Sequence, residues 1–148
     1  MGLIAGMAKS GLKPVFAVYS SFLQRSYDQL IHDVAIQKIP VVICLDRAGI
    51  VGPDGETHQG LFDLSYLSTI PNINILAPKN FYELEKMLEF GINLNGPIMI
   101  RYPRGDEGEI KFSKTEEIVL GKSELIKEGS DITIVAIGKM VSRARRSI

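Results

Sequence analysis

Little in this sequence points to an unusual environment. It has one cysteine, Cys44, so no disulfide can close within the chain. Its place in the apolar run Val41–Leu45 marks a buried, reduced thiol, which suits the cytoplasm. Lysine plus arginine (17) equal aspartate plus glutamate (17), so the basic excess of a nucleic-acid or membrane-surface binder is missing. No stretch approaches the ~18 consecutive apolar residues of a membrane span. The start, Met1–Gly6, has neither the length nor the basic lead of a signal peptide. There is no Walker-type phosphate loop and no Gly-x-Gly-x-x-Gly after a strand. Two histidines and one cysteine at these spacings make no zinc site. The acids near Asp46 and Asp54 lack the spacing of a calcium loop, and Ser20-Ser21 lacks the glycine elbow of a serine hydrolase.

What is present is an alternation of strand and helix patterns. Pro14–Val18 reads as a strand. Ser21 with Gln24 forms a capping box that opens a helix running to about Lys38. Its Leu23, Tyr27, Leu30, Ile31 and Val34 share one face at the 3.6 period. Arg25, Asp28 and His32 lie opposite, as a solvated or subunit-facing stripe. Val41–Leu45 reads as a fully buried strand, and a short helical segment follows near Phe62–Leu67. Ile73–Leu76 is a third strand. Asn80 with Glu83 caps a second helix whose Leu84, Met87, Leu88 and Ile92 share a face. Pro97–Tyr102 is a fourth strand. Short connections between alternating elements predict an α/β fold, a parallel sheet with helices on both faces.

The region 106–117 is charged and aperiodic, a linker. Residues 118–126 and 132–137 read as two strands opening a second α/β unit over 118–148. At the ends, residues 1–10 look like the last turns of a helix stopped at Gly11, and 139–148 like a helix that has barely begun. Both suggest a piece of a longer polypeptide.

The loop from Asp46 to Gly60 carries the densest chemistry. It follows a buried strand, and in an open parallel sheet ligands sit just beyond the carboxyl ends of strands. Along it lie Asp46, Arg47, Asp54, Glu56, Thr57, His58 and Gln59. His58 can shuttle protons near neutral pH. Arg25, Arg47, Arg101 and Arg104 stand at other strand or helix ends, where guanidinium groups grip phosphate or carboxylate; a structural salt bridge is an equal alternative for each. Tyr19 and Phe22, at a strand-to-helix junction, are either core aromatics or a flat surface for a ring.

Five segments together resemble the 1-deoxy-D-xylulose-5-phosphate synthase family of transketolase-type enzymes. They are Tyr19-Ser-Ser-Phe-Leu-Gln-Arg25, Tyr27-Asp-Gln29, Asp46-Arg-Ala-Gly49, Asp54-Gly-Glu-Thr-His-Gln-Gly60 and Arg101-Tyr-Pro-Arg-Gly105. The resemblance implies the family's pyrimidine-binding middle domain over 1–105, with 118–148 opening its third domain. It also implies an enzyme dependent on thiamine diphosphate and Mg2+. Such an enzyme decarboxylates pyruvate and joins the two-carbon fragment to glyceraldehyde 3-phosphate, toward isoprenoid, thiamine and pyridoxal synthesis.

By that resemblance Phe22 stacks on the cofactor's aminopyrimidine ring beside Arg25. Tyr19, Arg47 and Arg104 hold the acceptor's phosphate. Asp54 and His58 line the crevice near the reacting carbons, His58 as a proton-transfer group. The diphosphate and metal are expected in another domain, and the family's activating glutamate in a segment like Ile-Ala-Glu-Gln-His just upstream. The chain alone is therefore expected to be inactive, and domains of this kind to pair as a homodimer. Two other readings stay open: a separately encoded subunit of a transketolase or 2-oxo acid dehydrogenase beta type, and a non-catalytic interaction remnant of the fold.

Overall fold

The computed structural model describes residues 1–107, 110–112 and 117–148 of the chain. Among them, the four strands β1 (Val15–Tyr19), β2 (Val42–Asp46), β3 (Asn74–Leu76) and β4 (Ile98–Arg101) form one sheet in the order β1-β2-β4-β3. Every pairing is parallel. The apolar runs explain the layout, because β2 and β4 sit centrally and must be apolar on both faces. Ile43, Leu45 and Met99 enter one core with Leu30, Val34 and Ala35; Val42, Cys44, Ile98 and Ile100 enter a second core with Met87. Burial pushes the Cys44 thiol up from its ordinary value, which keeps it neutral.

The first core is covered by helix α1 (Gly2–Lys9) and by the long helical segment after β1. That segment departs from the expected uniform helix. It runs as α2 (Ser20–Leu23), a 3-10 turn (Gln24–Ser26), α3 (Tyr27–Gln29) and a π-helical stretch (Leu30–Ala35). The π stretch shows in the i→i+5 bonds from Ile36 N–H to the Ile31 carbonyl and from Ile39 N–H to the Val34 carbonyl, both 3.0 Å. The expected Ser21 capping box does not form. Strand pairing persists to Tyr19, which faces Asp46 across the ladder, and the helix starts at once with Tyr19 as its first flanking residue. Ser21 thus falls inside the helix. The apolar face is nevertheless as expected, with Leu23, Leu30 and Val34 buried. His32 Nδ1 lies 3.0 Å from the exposed Asp28 carboxylate one turn back, a local pair on the outer face of the segment.

The second core is covered by α5 (Phe81–Asn93). Here the cap forms as expected: Glu83 N–H donates to Asn80 Oδ1 at 2.8 Å. The Glu83 carboxylate reaches back to Lys79, accepting from its backbone N–H (2.6 Å) and its Nζ (3.0 Å). Gly91 allows α5 to lie close on the sheet, since a Cβ there would stand 2.9 Å from Ile98 Cγ2. The short helix α4 (Asp63–Leu67) is tied to β4 by a buried ion pair. Arg101 donates to Asp63 through Nε (2.9 Å) and through a terminal nitrogen (3.2 Å), and Asp63 is 1% exposed.

Beyond β4 the two expected strands over 118–126 and 132–137 do not form. A strand exists only when its backbone pairs, and among the described residues neither segment has a partner strand; Ile132, Ile134, Val135 and Ile137 are exposed. The chain closes with α6 (Met140–Arg146). The linker expected at 106–117 falls partly outside the described residues. Lys79 draws the later segment toward the sheet through Glu124, 2.5 Å away.

Two outcomes follow for stability. Leu30→Ala is expected to cost about 2–5 kcal/mol through the cavity it leaves, whereas Ile36→Ala, at a position 57% exposed, is expected to cost within about 0.5 kcal/mol; urea midpoints read both. Asp63→Ala, which strands a half-buried guanidinium, is expected to cost about 3–5 kcal/mol. Adding Arg101→Met to it recovers part of that loss in the same measurement.

Candidate active site

Because the strands run parallel, β1, β2 and β4 all deliver their carboxyl ends to one edge of the sheet. Tyr19 ends β1 opposite Asp46 at the end of β2, and Leu45 stands opposite Arg101 of β4. The turns leaving these strands carry Phe22 and Arg25, the loop 47–60, and Arg104. All seven residues singled out from the sequence meet there in one connected set.

The aromatic half of the set is a cluster of three rings. Tyr19 and Phe22 stack with centroids 5.4 Å apart, and His58 sets its edge against both, at 5.8 Å from Tyr19 and 5.1 Å from Phe22. The Arg25 guanidinium lies 5.4 Å from the Phe22 centroid and that of Arg47 lies 4.2 Å from the Tyr19 centroid. The second is well within the range of an attractive cation–π contact. His58 Nδ1 is engaged by Thr57 Oγ1 at 2.9 Å, which leaves Nε2 for other partners.

The charged half is centred on Asp54, whose side chain is 8% exposed. One carboxylate oxygen stands 2.7 Å from Arg47 Nε, the other 2.5 Å from Arg104 Nη1. The first contact is an ion pair without hydrogen-bond alignment, since neither Arg47 Nε nor that oxygen has an aligned partner. The second is a hydrogen bond. Asp46 adds a second acid, 3.4 Å from the Arg47 guanidinium. Two arginines and two aspartates thus balance, so an anion entering here would compete with Asp54. Burial pushes the neighbouring Tyr102 hydroxyl up to about 12, helped by Cys44 and Asp46, so it stays neutral.

Gln59 and Gly60, to which the sequence assigned no role of their own, hold this geometry. Gln59 folds the loop around its amide. Its Oε1 accepts from Val51 N–H (2.6 Å), and its Nε2 donates to the carbonyls of Val51 (2.9 Å), Asp54 (3.2 Å) and Gly55 (3.3 Å). Nothing in the spacing distinguishes a backbone-bonding glutamine from a ligand-bonding one. Gly60 closes the loop on Gly49 by reciprocal N–H to carbonyl bonds of 2.7 and 2.9 Å. A Cβ on Gly60 would collide with the Arg47 carbonyl oxygen and stand 2.8 Å from Ser20 Oγ. Arg101, by contrast, is turned away from this set by Asp63 and is structural. No group of three or more His, Cys, Asp or Glu that could hold a metal ion occurs among the described residues. Nor is any helix among them long and apolar enough to cross a membrane.

The family model for the transketolase pyrimidine-binding domain matches residues 1–108. The 1-deoxy-D-xylulose-5-phosphate synthase of Clostridium perfringens (strain ATCC 13124) is 58% identical over 142 residues, 96% of this chain. That of Caldanaerobacter subterraneus subsp. tengcongensis is 57% identical over 140 residues, 95% of this chain. The chain spans only 23% and 22% of those relatives' lengths. Among solved structures, an inactive beta4 tetramer of a split gene transketolase superposes with a TM-score of 0.89 at 28% identity. That match covers 99% of this chain and 47% of the other. Transketolase from Campylobacter jejuni gives 0.52 at 25% identity, over 60% of this chain and 14% of the other. A parallel sheet in the same architecture and a family match across all four strands lead to one conclusion: this chain belongs to the transketolase pyrimidine-binding domain family.

Proposed function

We propose that this chain is the pyrimidine-binding part of a 1-deoxy-D-xylulose-5-phosphate synthase, condensing pyruvate with D-glyceraldehyde 3-phosphate and releasing CO2. The observation that carries the reading is the unbroken contact path Arg25–Phe22–Tyr19–Arg47–Asp54–Arg104, flanked by His58, at the carboxyl edge of the sheet. Identity to synthases of that name, at 58%, exceeds the 28% to the split gene transketolase. The synthase reading is therefore favoured over a separately encoded transketolase subunit. Relatives match 142 residues, well past residue 108, which supports reading 118–148 as the opening of a further domain. Homodimeric assembly and a cytoplasmic setting belong to the same proposal.

The residues present fit a flat heteroaromatic ring. Phe22 is half-buried at the strand-to-helix junction, and the exposed Arg25 that lies over it can swing aside. We assign Phe22 and Arg25 to the aminopyrimidine of thiamine diphosphate, and assign its diphosphate and the Mg2+ to no residue of this chain. When bound, that cofactor supplies the electron sink for decarboxylation and carbon–carbon bond formation. The chain's own task is orientation and charge. Arg47 and Arg104 are already held together by one carboxylate, so a phosphate that displaces Asp54 meets two guanidinium groups with Tyr19 beside them. His58, with Nδ1 occupied by Thr57, has Nε2 left to give a proton to the acceptor's carbonyl oxygen as that oxygen becomes a hydroxyl.

The test is a chimera in which this sequence replaces its matched segment in the Clostridium perfringens synthase. Formation of 1-deoxy-D-xylulose 5-phosphate is expected; a folded chimera that binds cofactor yet makes no product overturns the proposal. In that chimera Arg47→Ala and Arg104→Ala are each expected to raise the acceptor KM by roughly 10- to 100-fold, the loss of one charge-assisted contact. His58→Ala is expected to lower kcat by roughly 10²- to 10⁴-fold. Steady-state kinetics with glyceraldehyde 3-phosphate varied separates the two effects.

A further inference from the structure

Arg47 has a backbone conformation that its residue type disfavours. Its φ is +55°, in the left-handed region where a Cβ crowds the backbone and glycine is the usual occupant. Something must hold it there, and three contacts converge on it. Asp46 Oδ1 accepts from the Arg47 backbone N–H at 2.7 Å. The Ala48 N–H donates to the Tyr102 carbonyl at 3.0 Å, which fastens the next residue to the end of β4. The Arg47 carbonyl oxygen packs so closely on Gly60 that no side chain fits there.

Of the three, only the Asp46 contact is made by a side chain to Arg47 itself. The second Asp46 oxygen stands 3.4 Å from the Arg47 guanidinium, so one carboxylate bonds the backbone and faces the head group of the same residue. Asp46 is itself held rigidly, since it ends β2 in register with Tyr19. The left-handed turn is what returns the Arg47 side chain over the Tyr19 ring, at 4.2 Å, and toward Asp54. Released to an ordinary extended conformation, the chain would leave β2 in another direction and the guanidinium would leave the aromatic cluster.

We propose that Asp46 is a positioning residue: its Oδ1 fixes the left-handed turn at Arg47 and so places the guanidinium for anion binding. The anion-binding part rests on the reading of Arg47 and Arg104 as a phosphate grip; the backbone part does not. What matters is an acceptor oxygen at this position, more than its charge.

Two conservative variants separate position from charge in the 148-residue chain. Asp46→Asn keeps an acceptor oxygen in place without the charge. Asp46→Glu keeps the charge but moves the acceptor by one methylene. The three-bond HN–Hα coupling and Cβ shift of Arg47 report its φ, and titration with inorganic phosphate, followed on the arginine Nε–Hε resonances, reports the grip. Asp46→Asn is expected to keep the left-handed signature and bind phosphate within about threefold of the unsubstituted chain. Asp46→Glu is expected to lose that signature and bind about tenfold more weakly, the scale of one lost hydrogen bond. The reverse order, or two variants indistinguishable from the unsubstituted chain in φ, overturns the proposal. If the unsubstituted chain binds no phosphate, the phosphate-grip reading fails, while the φ measurements still decide the role of Asp46.

Discussion

Strand β2 is hydrogen-bonded by parallel neighbours on both sides and buried on both faces, and most of the molecule's organisation follows from that. Parallel neighbours can be joined only by crossovers long enough to return to the starting edge, and the crossovers here cover the two faces with helices. The same parallelism gathers the carboxyl ends of β1, β2 and β4 together. Residues far apart in sequence, such as Tyr19 and Arg104, therefore become members of one site without any long-range signal between them.

At that edge the interactions are mutually constraining. Asp54 holds Arg47 and Arg104 at 2.7 and 2.5 Å, Arg47 lies on Tyr19, Tyr19 stacks on Phe22, and His58 stands against both rings. Asp54 is in turn placed by the Gln59 amide, which bonds the backbone of Val51, Asp54 and Gly55. Arg47 and Arg104 are balanced by Asp46 and Asp54, while Arg47 Nε and the facing Asp54 oxygen are left as an ion pair without an aligned hydrogen bond. The proposed phosphate would exchange one internal anion, Asp54, for an external one.

Much of this was legible in the sequence, for identifiable reasons. The apolar runs at Val41–Leu45 and Pro97–Tyr102 are too short for helices and too continuous for a half-exposed sheet, so central parallel strands follow. Asn80 and Glu83 announced the α5 cap because capping is local. Ser21 and Gln24 misled because the same local signal was overridden by strand pairing that carries β1 to Tyr19. The Arg101–Asp63 pair was hidden because its partners lie 38 residues apart, and spacing alone leaves a gripping arginine and a structural one alike. The strands expected at 118–126 and 132–137 show that alternating apolar residues need a pairing edge as well as a pattern. Gln59 escaped assignment because its partners are backbone atoms, and Asp46 because its shorter bond is to a backbone N–H, which leaves no trace in residue identity.

The proposed site places a phosphorylated aldehyde between Arg47 and Arg104 at the carboxyl edge of this sheet. Mapping the binding of D-glyceraldehyde 3-phosphate onto the 148-residue chain by chemical-shift changes at backbone amides and arginine side chains tests it directly. With that placement, saturable shifts concentrated at Tyr19, Arg47, Asp54 and Arg104 are expected. Saturable shifts confined to the opposite edge, around Lys13 and Asn93, or saturation that leaves both arginines unmoved, would contradict it.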